Sequence, residues 1–218
     1  MILWRFTDPS LYDQYARAGR RGTWIGTPSE RVPPLIIEWE RDSDVVGDFT
    51  WPGFDDDIMV TDRVGRFLLD SGVKGFELKP VKMIQTAKPP KTRSRIPRIW
   101  LPYKGPKLWD LWPTCWEVLD FVRSSLRWYK RRNGTKDFKV VGVELFYSRY
   151  SIDKGVRTVC RRKRTPGKGL FVTAKRGIFR IKECPAWIFC SNDVKELIES
   201  QKFTNVTFLE MGDMEVRD

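Results

Sequence analysis

One stretch of this chain is written twice. Val60 to Val81 can be laid on Cys190 to Met211 without a gap, 22 positions at a separation of 130 residues. Thr61 faces Ser191 and Asp62 faces Asn192; Val64, Phe67 and Leu68 face Val194, Leu197 and Ile198. Val73 then faces Phe203, and Phe76 and Leu78 face Val206 and Phe208. An internal copy limits the possible folds more than composition does, because the same pattern must find a core twice. A match that keeps a cap, a stripe and a following strand favours duplication or structural mimicry over chance likeness between two amphipathic helices.

The chemistry repeats with the letters. A hydroxyl at Thr61 or Ser191 can cap a helix N-terminus, with an acid or amide next in the first turn. Apolar residues at i, i+3 and i+4 then give one buried helical stripe. After it the period changes to two, at Phe76/Leu78 and at Val206/Phe208, which predicts a strand. The runs Ile58-Met59-Val60 and Trp187-Ile188-Phe189 predict a strand ahead of each helix. The expected fold is α+β, with mixed sheets, two similar strand-helix-strand units at about 58–81 and 187–211, and a basic, strand-rich middle.

Elsewhere the signals are more local. Leu11 to Ala18 suits a short helix broken by Gly19-Arg20-Arg21-Gly22. Leu35-Ile36-Ile37-Glu38-Trp39 has the β-branched and aromatic content of a strand. Lys88 to Pro106, with five prolines and many cations, predicts an extended connector. Val118 to Trp128 suits a helix or a long strand, and periodicity does not choose between them. Asn133-Gly134 marks a tight turn. Phe138 to Tyr147, Leu170-Phe171-Val172 and Ile178 to Ile181 predict strands. The expected division is an N-terminal part at 1–87, a basic Pro-rich connector at 88–107 and a C-terminal part at 108–218, or one compact domain overall.

Charge is unevenly placed. Residues 1–80 hold 10 Lys+Arg against 14 Asp+Glu, residues 81–182 hold 27 against 6, and residues 183–218 hold 3 against 8. The whole net charge of +12 therefore comes from the middle. Histidine is absent, which removes Ser-His-Asp and Cys-His catalysis and the HExxH zinc site. Cys115, Cys160, Cys184 and Cys190 have no CxxC spacing and are expected to be buried or weakly exposed thiols. No apolar run is long enough for a membrane span and no signal peptide is recognisable, so a cytoplasmic protein is expected. Asp55-Asp56-Asp57, with Asp44 and Asp48 nearby, offers oxygen ligands for Mg²⁺ or Ca²⁺, but the run lacks the spacing of a hard-cation loop and is expected to form a solvated turn feeding a strand.

Several phrases resemble one bacterial family. They are Pro33-Pro34-Leu35-Ile36-Ile37-Glu38-Trp39, Ser43 to Phe54 with Asp48-Phe49-Thr50-Trp51-Pro52-Gly53-Phe54 at its centre, Leu108-Trp109-Asp110-Leu111-Trp112, Pro166-Gly167-Lys168-Gly169-Leu170, Pro185 to Cys190, and Phe208-Leu209-Glu210-Met211-Gly212. Together they resemble the double-CxxCG-motif proteins of myxobacteria and planctomycetes, some of which are swarming-inhibition immunity proteins that protect a cell from a kin-exchanged toxin. The chain departs from that pattern at the knuckles. Tyr15 and Ala18 stand where the first pair of cysteines belongs, ahead of Gly19, and only Cys160 remains near Arg157-Thr158-Val159-Cys160-Arg161. One thiol without histidine cannot complete a four-ligand zinc site, so no zinc and no other cofactor is expected. Packing around Tyr15 would replace the lost cross-link.

The resemblance implies a non-enzymatic, immunity-like protein that binds and neutralises a cognate toxin by masking its surface. The residues expected to carry binding are Arg127, Lys130, Arg131, Arg132, Arg161, Arg162, Lys163, Arg164 and Lys168, with Trp109 and Trp112 as aromatic anchors. Such a cluster expects an acidic protein surface. The alternative is nucleic acid bound along 127–168, where cations alternate with Trp128, Tyr129, Tyr147 and Tyr150, although no RRM, KH, zinc-finger or helix-turn-helix pattern accompanies them.

Overall fold

The computed structural model describes residues 1–9, 14–21, 32–41, 43–52, 57–88, 97–148 and 159–217; the side chains of 145–148 and 159–163 are outside the description. In chain order the first elements are β1 (Ile2–Thr7), β2 (Ala18–Arg20), β3 (Leu35–Trp39), β4 (Phe49–Thr50), β5 (Met59–Thr61), α1 (Asp62–Asp70), β6 (Phe76–Met83) and β7 (Leu108–Pro113). The middle supplies β8 (Trp116–Glu117), β9 (Leu126–Lys130), β10 (Lys136–Val140), β11 (Val143–Ser148) and β12 (Val159–Arg164). The last elements are β13 (Leu170–Ala174), β14 (Ile178–Ile181), β15 (Cys184–Ser191), α2 (Asn192–Ser200) and β16 (Thr207–Val216). The protein is strand-rich, with mixed sheets and two helices among the described residues.

The two helices begin and end at positions 130 apart, as the repeat predicts. Over residues 61–70 and 191–200 burial matches at every position but one, Gly65 against Lys195. Val64, Leu68, Val194 and Ile198 are buried, each stabilising by roughly 1.5–3 kcal/mol relative to exposure. Both helices leave through left-handed residues at equivalent places: Gly72 and Lys202, then Gly75 and Asn205, with φ of 70°, 52°, 86° and 59°. After α1 the exit is a Schellman motif, in which the Val73 amide bonds the Leu68 carbonyl and the Gly72 amide that of Leu69. Thr61 and Ser191 do occupy the N-cap positions, but neither hydroxyl bonds the helix. Thr61 Oγ1 donates to Asp48 Oδ1 at 3.3 Å, and Ser191 Oγ accepts the Gly177 amide at 2.9 Å. Outward contacts win over capping because both residues are buried beside an adjacent strand.

The structural likeness between the two units is wider than the sequence match. The first sheet runs β4-β5-β7-β6-β3-β2 and the second runs β8-β14-β15-β1-β16-β13. Five strands correspond, in order and direction: β4-β5-β7-β6-β3 with β14-β15-β1-β16-β13. In each sheet the strands flanking the helix are separated by a central strand antiparallel to both. In the first sheet that strand is β7, which follows the unit; in the second it is β1, from the far end of the chain. The second copy is thus a circular permutation of the first. Trp109 and Trp4 occupy the same place on these central strands, opposite Val60 and Cys190. Their indole N–H groups donate to Asp62 at 2.9 Å and to Asn192 at 2.8 Å. The sheets therefore do not follow a division of the chain at 108.

The copies dock reciprocally, as subunits do across an isologous interface. The turn after α1 meets β14, where the Ile178 amide donates to the Lys74 carbonyl at 2.9 Å. The turn after α2 meets β4, where the Phe49 amide donates to the Thr204 carbonyl at 3.2 Å. At the first seam backbones touch: a Cβ on Gly75 would lie 2.1 Å from the Ile178 oxygen. At the second, side chains fill the matching positions. Asn205 Nδ2 donates to the Phe49 carbonyl at 2.8 Å, and Asp48 accepts from the Thr204 amide and hydroxyl. One core joins the copies, containing Phe6, Phe49, Val64, Leu68, Leu111, Ile178, Val194, Ile198, Phe203 and Phe208. Each sheet also buries its opposite face in an outer core, one around Leu35, Ile37, Met59 and Leu108, the other around Leu3, Leu170, Val172 and Phe189.

Several local expectations change. The expected helix at Leu11–Ala18 is not formed over 14–18; Ala16 and Ala18 are buried as the chain enters β2, and 11–13 lie outside the described residues. Edge pairing with β3 overrides a weak helical pattern. Val118 to Trp128 is neither one helix nor one strand, because Asp120 accepts the amides of Val122 and Arg123 and turns the chain before β9. Phe138 to Tyr147 is two strands, broken at Gly142, whose φ is 78°. Asp57 does not sit in a solvated turn: it is buried and pairs with Arg20 at 2.8 Å, while Asp55 and Asp56 lie outside the described residues. Tyr15 lies against Gly47, and the Cys160 side chain is outside the description.

Candidate binding surface

Among the described residues β9 to β12 have no counterpart in the first copy, whereas β8 matches β2: each runs alongside both outer strands of its sheet. Residues 121–168, between β8 and β13, hold 15 Lys+Arg against 3 Asp+Glu, most of the net charge of the chain. Two arginines fasten this insert to the second sheet. Arg123 bonds Asp120 at 2.6 Å and Glu215 at 3.0 Å, with its guanidinium 3.8 Å from the Phe171 ring. Arg164, 6% exposed, bonds Glu210 at 2.8 Å, the Gly212 carbonyl at 3.0 Å and the Asp213 carboxylate. The amide hydrogen bonds and guanidinium of Arg123 lower the Asp120 pKa below the ordinary aspartate value.

Between these anchors, β9 and β10 form a two-stranded ribbon closed by Asn133-Gly134, with Gly134 at φ 86°. Alternation divides it into two faces. One carries the pairs Leu126↔Val140, Trp128↔Phe138 and Lys130↔Lys136; the other carries Arg127↔Lys139 and Tyr129↔Asp137. Leu126, Phe138 and Val140 pack onto the outer core of the second sheet and hold the base of the ribbon. Trp128 stands further out, 55% exposed, braced by Phe121 and Phe138 at centroid distances of 5.7 and 5.4 Å. Trp128, Tyr129, Lys130, Gly134 and Lys136 line an open groove of about 620 Å³. On the second face Asp137 accepts from the Tyr129 hydroxyl at 2.8 Å and from Arg131 Nε at 2.7 Å; both bonds lower the Asp137 pKa, and the first raises that of Tyr129.

The expected binding residues therefore separate. Arg127, Lys130, Arg131 and Arg132 are exposed on the ribbon and its turn, and Lys168 is exposed in the loop before β13. Arg164 is spent on Glu210 and Asp213. Arg161, Arg162 and Lys163 lie on β12, and their side chains are outside the description. Trp109 and Trp112 are half-buried on β7; Trp109 lines a different groove with Tyr103, Pro80 and Lys107. Phe121, Val122 and Lys139 carry no signal in the sequence: a two-residue turn at Asn133-Gly134 would set Arg127 opposite Val140, and only the three-residue loop 132–134 sets it opposite Lys139.

The buried carboxylates Asp48, Asp57 and Glu38 are engaged in contacts within the fold. Asp48 bridges the two copies, Asp57 pairs with Arg20, and Glu38 accepts from Thr86, Arg98 and Arg21. The Thr86 amide is the largest influence holding the Glu38 pKa down at about 2. Among the described residues no three His, Cys, Asp or Glu side chains cluster as metal ligands, and no helix is long and apolar enough to cross a membrane. Burial pushes the Cys184 thiol up to about 12 and that of Cys190 well above its ordinary value. No protein-family model matches the chain, and no curated protein is significantly similar to it.

Proposed function

We propose that this chain is a non-enzymatic, immunity-like protein that neutralises a cognate toxin by covering its surface, and that the cationic insert is the covering element. The observation carrying this reading is a contrast: the two similar sheets account for the core, while the β9–β10 ribbon stands outside them and leaves Arg127, Lys130, Lys136 and Lys139 exposed. A cytoplasmic location fits this role. The test is co-purification with the toxin encoded beside the gene. A complex stable at micromolar concentration supports the reading, and its absence overturns it.

A nucleic-acid reading rests on Trp128, exposed beside Lys130 and Lys136. It predicts binding to generic DNA or RNA that falls steeply with added salt.

A further inference from the structure

The ribbon contains a feature that folding alone does not explain. Of its five cross-strand pairs, two set cation against cation: Lys130 opposite Lys136, and Arg127 opposite Lys139. Like charges directly opposite one another destabilise a ladder. The two pairs lie on opposite faces. Among the described residues none of these four side chains has an ion-pair partner, whereas Arg123, Arg131 and Arg164 all do. Unopposed charge on both faces, with Arg132 exposed in the turn between them, suits carboxylates arriving from two sides.

We infer that the β9–β10 ribbon is gripped on both faces by an acidic polypeptide, its tip entering a carboxylate-lined cleft of the partner rather than lying flat against it. This rests on the binding reading above and deepens it by naming the partner's chemistry and shape. One observation favours carboxylates over nucleic acid. Trp128 and Tyr129 point to opposite faces, so they cannot form one platform for successive bases.

The test uses the full chain, a labelled poly-L-glutamate peptide and a labelled DNA duplex of matched charge, with fluorescence anisotropy near physiological ionic strength. K130E changes one face and K139E the other. Each replaces a like-charged pair with an opposite-charged one, so the melting temperature should hold or rise. Both variants should bind the peptide roughly tenfold more weakly, about 1.4 kcal/mol. Loss in only one variant means docking by a single face and overturns the inference. So does tighter binding to the duplex than to the peptide, or no binding to either probe. The toxin co-purification is read separately, so a flat-docked immunity protein and a protein that is not an immunity protein give different results.

Discussion

Asp48 is the point at which the second seam between the copies is most exposed to test. Its carboxylate accepts from the Thr204 amide at 2.9 Å, the Thr204 hydroxyl at 3.1 Å and the Thr61 hydroxyl at 3.3 Å, and it is 9% exposed. Arg63 lies 3.5 Å away but is largely solvated and adds little. In Asp48→Ala the Thr204 amide and the Thr61 hydroxyl lose an acceptor in a poorly hydrated seam. Each orphaned donor costs about 1–3 kcal/mol, and relief of the carboxylate's own desolvation returns part of that. The expected loss is about 3 kcal/mol, or roughly 6–12 °C in melting temperature for a chain of this size. Asp48→Asn keeps an acceptor oxygen for Thr204 and should lose only about 1 kcal/mol. Urea unfolding followed by tryptophan fluorescence reads both, with the slope unchanged if only stability moves. A double-mutant cycle with Thr204→Val should then give a coupling of about 1–2 kcal/mol. An Asp48→Ala protein within about 0.5 kcal/mol of the parent would refute the view that this carboxylate ties the copies together.

Three other outcomes are expected. Lys202 holds the left-handed position that Gly72 holds in the first copy, so Lys202→Gly should raise stability by about 1 kcal/mol in the same urea assay. Glu38 titrates at about 2 when folded against an ordinary 4.5, so its contribution is complete above about pH 4.5 and is lost as pH falls towards 2. Glu38→Gln should flatten that limb of a stability-against-pH curve. Because β1 lies beside β16 with Ile2 opposite Asp213, moving residues 1–9 behind Arg217 through a short glycine-containing turn should keep the far-UV circular dichroism spectrum. An unfolded permutant would contradict the equivalence of β1 and β7.

What could be read without coordinates was local. Helix start and stop, the buried stripe at Val64/Leu68 and Val194/Ile198, and the strand after each helix depend on residues within a few turns of one another, and periodicity reports them directly. The ribbon turn at Asn133-Gly134 was legible for the same reason. The excess of cations in the middle was also plain, but not which of them are free. Arg164 and Lys168 look alike in a string; the Arg164 side chain is covered because β12 runs beside Glu210 and Asp213, more than forty residues further on.

The sequence by itself determined that one strand-helix-strand pattern occurs twice and that a basic segment separates the copies. Tertiary structure alone decided that each pattern is completed by a strand from outside it, β7 in one case and β1 in the other. It also decided that each helix-to-strand turn seats on the other copy and that Asp48, Asp57 and Glu38 hold the fold together. The physical reason is range. Helix and strand periodicity are written in neighbouring residues, whereas a ladder hydrogen bond or a buried ion pair joins residues that nothing in the chain's order sets side by side.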